Sequence, residues 1–201
     1  MKVISVWSPK GGAGKTTLAM HLAGAFYQQF GKRVAILDFN ADQQSAMDIA
    51  EIGHLPFEVV LGKPKTPPDA DIVIVDHAPT KELPPPGTTI ILPYRPSRID
   101  FMAVDRAKRS LGDGRKVFEV VNAVSFARSK ESEVAEHLRR EGAHIMRNLS
   151  IYSRALGFGR TIFDPKVDNL AGAREARKEI LQLIAKLPLG DFLKGKEVAN
   201  G

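Results

Sequence analysis

An apolar run, Val3-Ile4-Ser5-Val6-Trp7, leads directly into Ser8-Pro9-Lys10-Gly11-Gly12-Ala13-Gly14-Lys15-Thr16-Thr17. A helix-patterned segment follows, from Leu18 to about Phe30, with the helix itself expected to begin near Lys15. Strand, glycine loop and helix in this order is the setting in which Gly-x-x-x-x-Gly-Lys-[Ser/Thr] forms a phosphate cradle. Gly11, Gly12 and Gly14 leave room for backbone N–H groups to face a phosphate chain. The helix adds its N-terminal dipole and unpaired amides. Lys15 is expected to reach the β- and γ-phosphates, and the Thr16 hydroxyl to hold Mg²⁺. The general motif is not matched in full, because Pro9 takes the place of its first glycine and Lys10 follows.

The rest of the chain alternates apolar strand-like runs with helical patterns. Strands are predicted at 32–38, 57–61, 72–76, 88–92 (closed by Pro93), 116–123 and 143–146. Helices are predicted at 43–51, 100–111, 132–141 and 169–187, and the proline-rich stretch Leu83–Gly87 reads as loop. This alternation predicts an α/β fold, a mostly parallel twisted sheet with helices on both faces. One domain is expected over residues 1–187, with a short tail over 188–201.

In such sheets ligands bind at the carboxyl ends of the strands. Two of the predicted strands end there in an acid: Val34-Ala35-Ile36-Leu37-Asp38 and Ile72-Val73-Ile74-Val75-Asp76. Because hard cations take oxygen ligands, Thr16, Asp38 and Asp76 are the candidate Mg²⁺ ligands.

Taken together, these stretches resemble the ParA/MinD family of deviant Walker A ATPases, and the short, single-domain ParA type in particular. The spelling KGGAGKTT matches the family's phosphate loop, GKRVAILD its second strand, and IVIVDHAPT its Walker B segment from Asp76 to Pro79. Pro93 to Asp100 is similar to the family's P-x-x-P-S-x-x-D stretch, Tyr152 to Phe163 resembles a further family passage, and the closing helix looks similar.

The resemblance implies a homodimer with ATP sandwiched between subunits, Lys10 reaching the partner's nucleotide, and Mg²⁺ as cofactor. It implies that residues Lys10 to Thr17 (Lys10, Gly11, Gly12, Ala13, Gly14, Lys15, Thr16, Thr17), with Pro96 and Asp100, bind the nucleotide. It also implies weak ATP hydrolysis, nonspecific binding of double-stranded DNA, a ParB-like activator and a plasmid or chromosome locus as cargo.

Lys10, Lys15 and Asp38 are candidate catalytic residues, and one further place is open. The family writes D-x-D-P-Q after its second strand, where this chain has Asp38-Phe39-Asn40-Ala41-Asp42-Gln43-Gln44. In one register Asn40 stands at the water-orienting position, and asparagine cannot take a proton from water. In the other, with a longer loop, Asp42 fills it. A slowly hydrolysing, nucleotide-dependent switch for a protein cargo is the corresponding alternative function.

Charge adds a second line. Residues 1–100 carry 10 Lys/Arg and 10 Asp/Glu, so the net charge of +6 falls wholly in residues 101–201. Such asymmetry suits a polyanionic partner. Arg139 with Arg140, and Arg174 with Arg177 and Lys178, are the candidate DNA contacts. The absence of cysteine excludes disulfides and thiolate-held metals, and it fits a cytoplasmic, nucleoid-associated protein. Pro188, Gly190 and Gly195 interrupt the tail, which argues against a membrane-targeting helix of the MinD kind, the other alternative. His77, next to Asp76, is expected to pack beside the site and not to react.

Overall fold

Ile72 and Ile74 point to one side of their strand and Val73 and Val75 to the other, and all four are buried. A strand buried on both faces belongs in the middle of a covered parallel sheet, and that is its position in the computed structural model, which describes residues 1–80, 89–112 and 115–193. The strands are β1 (Lys2–Val6), β2 (Val34–Asp38), β3 (Glu58–Leu61), β4 (Ile72–Asp76), β5 (Thr89–Tyr94), β6 (Val117–Val124) and β7 (His144–Arg147). They form one sheet in the order β3-β2-β4-β1-β5-β6-β7, with every neighbouring pair parallel.

The helices are α1 (Lys15–Phe30), α2 (Ser45–Glu51), α3 (Arg98–Leu111), α4 (Ser129–Arg140), α5 (Ser150–Gly157), α6 (Ala173–Lys186) and a short α7 (Gly190–Leu193). Helix α1 is apolar nearly all round, as a helix enclosed by other elements must be. It packs with α5 and α6 against Ile4, Ile36, Ile72 and Ile74. On the opposite face, α3 and α4 enclose Trp7, Ile90, Leu92 and Tyr94. The first core runs on past Leu187 to Leu189, and Phe192 and Leu193 pack against it. No helix among the described residues is long and apolar enough to cross a membrane.

Several elements differ from those read from the sequence. Strand β5 does not stop before Pro93 but continues to Tyr94. Ile91 O accepts the Trp7 N–H, whereas the Ile90 N–H turns the other way, to Lys116 O. Pro93, two residues past Ile91, therefore faces β1 beyond its last residue, where no ladder bond is required of it. Helix α6 begins at Ala173 and not at Asn169, because Gly172 at φ 84° is left-handed and starts it. Helix α5 went unpredicted. The loop predicted at Leu83–Gly87 lies outside the described residues.

Candidate active site

The sheet register brings the two strand-end acids together. Asp38 pairs with Asp76 across β2 and β4, and Asp76 pairs with Val6, the last residue of β1 before the glycine loop. Loop and acids thus share the carboxyl edge of three adjacent strands.

Within the loop, Gly12 (φ 68°) and Gly14 (φ 88°) take left-handed conformations that favour glycine. Gly14 is also the N-cap of α1 and supplies no side-chain acceptor, so the first amides of α1 keep their capacity for an anion. Gly11 and Gly12 are exposed, and Ala13 is buried, leaving only its backbone for a ligand. Thr17 is half-buried on the first turn of α1.

Lys15 is buried, and its ammonium donates to Lys10 O at 3.0 Å. Burial lowers its pKa, and Asp76 opposes that shift. Thr16 Oγ1 donates to Asp76 Oδ2 at 2.6 Å, while Asp76 Oδ1 is buried and has no partner among the described residues. Burial pushes Asp76 up to about 7, and the neighbouring Asp38 carboxylate adds to the shift. A buried carboxylate oxygen with no donor beside a threonine hydroxyl is what a Mg²⁺ site held mainly by water and phosphate oxygens requires. Thr16 and Asp76 therefore fit the cation. The described residues contain no cluster of three or more His, Cys, Asp or Glu that could hold it without those other ligands.

Asp38 is differently engaged. Its Oδ1 accepts the Asn40 N–H at 2.9 Å and its Oδ2 the Ala46 N–H at 3.0 Å, so the carboxylate ties the loop after β2 to the first turn of α2. Asn40 is half-buried, with Nδ2 on Gln43 Oε1, and Asp42 is exposed on the same turn. Gln44 closes that turn at φ 45°, a strained value for a residue with a side chain.

Lys10 points out of the cradle. Its ammonium lies 2.5 Å from Asp100 Oδ1, and its side chain is 39% exposed. Asp100 is placed by the start of α3, where Ser97, following Pro96, accepts the Asp100 N–H and donates to Asp100 Oδ2. His77 is buried between Ser5 Oγ and the ring of Phe39, a packing role as expected.

Two residues of the site were missed in the sequence. Arg95 Nε donates to Gly12 O at 3.1 Å, and Asn122 Nδ2 donates to Ala13 O at 2.9 Å. Asn122 carried a signal, being an amide near the end of an otherwise mostly apolar strand. Arg95 carried none.

The basic residues lie away from the cradle. Arg140, Arg174 and Lys178 are exposed, and Arg139 pairs with Glu136 over the ring of Phe126. Arg139 and Lys178 also line a groove between α4, β7 and α6, together with Arg147 and Lys186. Arg177 turns inward instead, donating to Ile162 O and Asp164 O and pairing with Asp168.

A fold matching this one occurs in a plasmid partition protein from Borrelia burgdorferi bound to AMPPNP. It is 14% identical, with a TM-score of 0.67 over 92% of this chain and 98% of that one. Cyanothece McdA, as a D38A variant with ATP, matches at 13% identity and a TM-score of 0.66 over 98% of each chain. MinD from Pyrococcus horikoshii with Mg-ADP matches at 14% and 0.63, over 96% of this chain and 98% of its own. No curated protein matches the chain. The model of the CobQ/CobB/MinD/ParA nucleotide binding domain matches residues 4–190, nearly the whole sequence. With the phosphate loop, the paired acids and the all-parallel sheet on the same edge, the chain belongs to that family.

Proposed function

We propose that this chain is a ParA-type positioning ATPase that hydrolyses ATP and dimerises with ATP sandwiched between its subunits. As that dimer it binds duplex DNA without sequence preference, in the cytoplasm and on the nucleoid. A ParB-like activator stimulates hydrolysis and couples the cycle to a plasmid or chromosome locus. Bound Mg²⁺ would offset phosphate charge between Thr16 and Asp76.

The observation that carries this reading is the direction of Lys10. Lys15 already serves the cradle from within, whereas Lys10 leaves it, half-exposed and paired with Asp100. A lysine so placed is available to phosphates bound by another subunit. The relatives support the nucleotide part: the Borrelia partition protein binds AMPPNP and the Pyrococcus MinD binds Mg-ADP. For a protein partner, Aquifex aeolicus MinD forms a complex with MinC.

Light scattering with Mg²⁺ and a slowly hydrolysed ATP analogue, followed by filter binding of unrelated duplexes, tests the reading. A dimer that binds all duplexes alike in the ATP state, and not with ADP, is expected. Liposome binding without DNA binding would favour the MinD-like membrane cycle instead.

The placement of Asn40 and Asp42 favours a second reading, a slowly hydrolysing switch for a protein cargo. Neither residue is buried in the site, and the Asn40 side chain is spent on Gln43. Phosphate release that DNA and an activator fail to accelerate would select it.

A further inference from the structure

Three carbonyl groups of the phosphate loop are each turned onto a side-chain donor: Lys10 O onto Lys15, Gly12 O onto Arg95 and Ala13 O onto Asn122. A trans peptide is planar, so the N–H following each carbonyl points the opposite way. The amides of Ala13 and Gly14, successive in the chain, are thereby both aimed away from the Arg95 and Asn122 donors. Successive amides facing one concavity make an anion-binding nest.

We propose that Arg95 and Asn122 are positioning residues that hold the phosphate loop in its anion-binding form before nucleotide arrives. This rests on the nucleotide-binding reading of the loop. Lys15 must leave Lys10 O to serve a phosphate, whereas Arg95 and Asn122 can keep their bonds throughout.

The strand behind Asn122 is built to deliver it. The pairing of β6 with β7 shifts register between Val121 and Val124, and Ala123 takes φ 57°. A left-handed residue with a side chain is strained, and such strain persists where surrounding structure enforces it. The bulge re-aims the chain at that point, and Asn122 lies beneath the loop. The fit is close, because a Cβ at Gly14 would overlap Asn122 Nδ2. Gly14 is therefore required twice over, by its φ and by Asn122. Arg95 reaches the loop from directly after β5 and stays exposed. Its guanidinium also adds a fixed positive charge beside the nest.

Calorimetry of Mg·ADP and of a slowly hydrolysed Mg·ATP analogue tests the proposal on the full chain. Because both hydrogen bonds act on the free loop, Arg95→Ala and Asn122→Ala should each weaken both nucleotides alike, on the order of tenfold. Asn122→Asp has nearly the same shape but offers Ala13 O no donor, so it should lose as much as alanine. Arg95→Lys keeps a donor and should recover part of the loss. Amide exchange at residues 11–15 of the nucleotide-free protein should speed up in the alanine variants, with the denaturation midpoint nearly unchanged. Full affinity in the double alanine variant, beside a wild type that binds, overturns this proposal alone. A wild type that binds neither nucleotide overturns it together with the reading on which it rests. Affinity losses that follow only a lowered denaturation midpoint, with no rescue by Arg95→Lys, also overturn it.

Discussion

Lys10 and Asp100, ninety positions apart, meet at 2.5 Å across the gap between the phosphate loop and the start of α3. The pair is partly exposed, so its worth to stability is at most about 1 kcal/mol and little opposes its release. Lys10→Ala should leave stability and monomeric nucleotide binding nearly intact. The variant should lose ATP-dependent dimerisation, measured by light scattering with the ATP analogue. A variant that dimerises normally would remove Lys10 from the partner's site.

Lys15 and Thr16 should separate by the chemistry each supplies. Lys15→Ala removes a buried cation from the cradle and should weaken ATP with or without Mg²⁺, by about 2 kcal/mol or more. Thr16→Ala removes the hydroxyl beside Asp76 and should weaken only the Mg²⁺-dependent part of binding. Calorimetry with Mg²⁺ and with EDTA distinguishes the two patterns, and identical behaviour in both variants would contradict it.

Turnover depends on which residue of the loop after β2 serves water. Asp38 already spends both carboxylate oxygens on the backbone amides of Asn40 and Ala46. Asp42→Ala should abolish turnover and preserve ATP-dependent dimerisation if the loop closes with Asp42 inward. Should Asn40→Asp raise phosphate release severalfold while Asp42→Ala does little, Asn40 occupies the water position and the protein is set for slow hydrolysis.

What the sequence disclosed follows from how much of each signal is local. Ile72 to Asp76 was read to the residue, because an unbroken apolar run ending in an acid has few other uses, and the same held for the end of β2 at Asp38. Pro93 was misread because its tolerance depends on where β1 ends, a fact about a neighbouring strand. Arg177 looked like its basic neighbours, but its direction is set by carbonyls of the turn at 162–164, packed against α6. Arg95 and Asn122 needed the fold for the same reason, since their partners are 83 and 109 positions away.

His21 should make the fold acid-sensitive. It is fully buried, with Nδ1 accepting the Ile162 N–H and Nε2 on Tyr152 O, and burial lowers its pKa to about 4. Above pH 6.5 it is neutral both folded and unfolded. Between about 6.5 and 4 the unfolded chain takes up a proton that the native state refuses, so stability falls as pH falls, by roughly 3 kcal/mol over the window. Buried His144 acts in the same direction, and Asp76, raised to about 7, in the opposite one. Urea denaturation at pH 7.5 and 5.0 measures the difference. His21→Gln should be less stable at pH 7.5 and lose less on acidification, and an unchanged pH dependence would contradict a neutral His21.

The residues that touch DNA should divide according to where the guanidinium and ammonium groups point. Arg139, Arg174 and Lys178 are exposed on α4 and α6, whereas Arg177 holds two carbonyls and Asp168. Neutralising phosphates releases counterions, so affinity should fall steeply with salt and depend little on sequence. A dimer presents each cation twice, which is why useful affinity is expected in the ATP state. Replacing Arg139, Arg174 and Lys178 with alanine should weaken every duplex alike and flatten the salt slope, by about one unit for each phosphate left without its cation. The same change should leave the fold and ATP binding unaltered, as exposed substitutions usually do. Arg177→Ala should instead lower stability by about 1–3 kcal/mol, because it leaves carbonyls of a packed turn without their donor. Filter binding at several salt concentrations, with denaturation of both variants, separates a DNA-binding residue from a structural one. Undiminished binding by the triple variant would move the DNA surface elsewhere on the dimer.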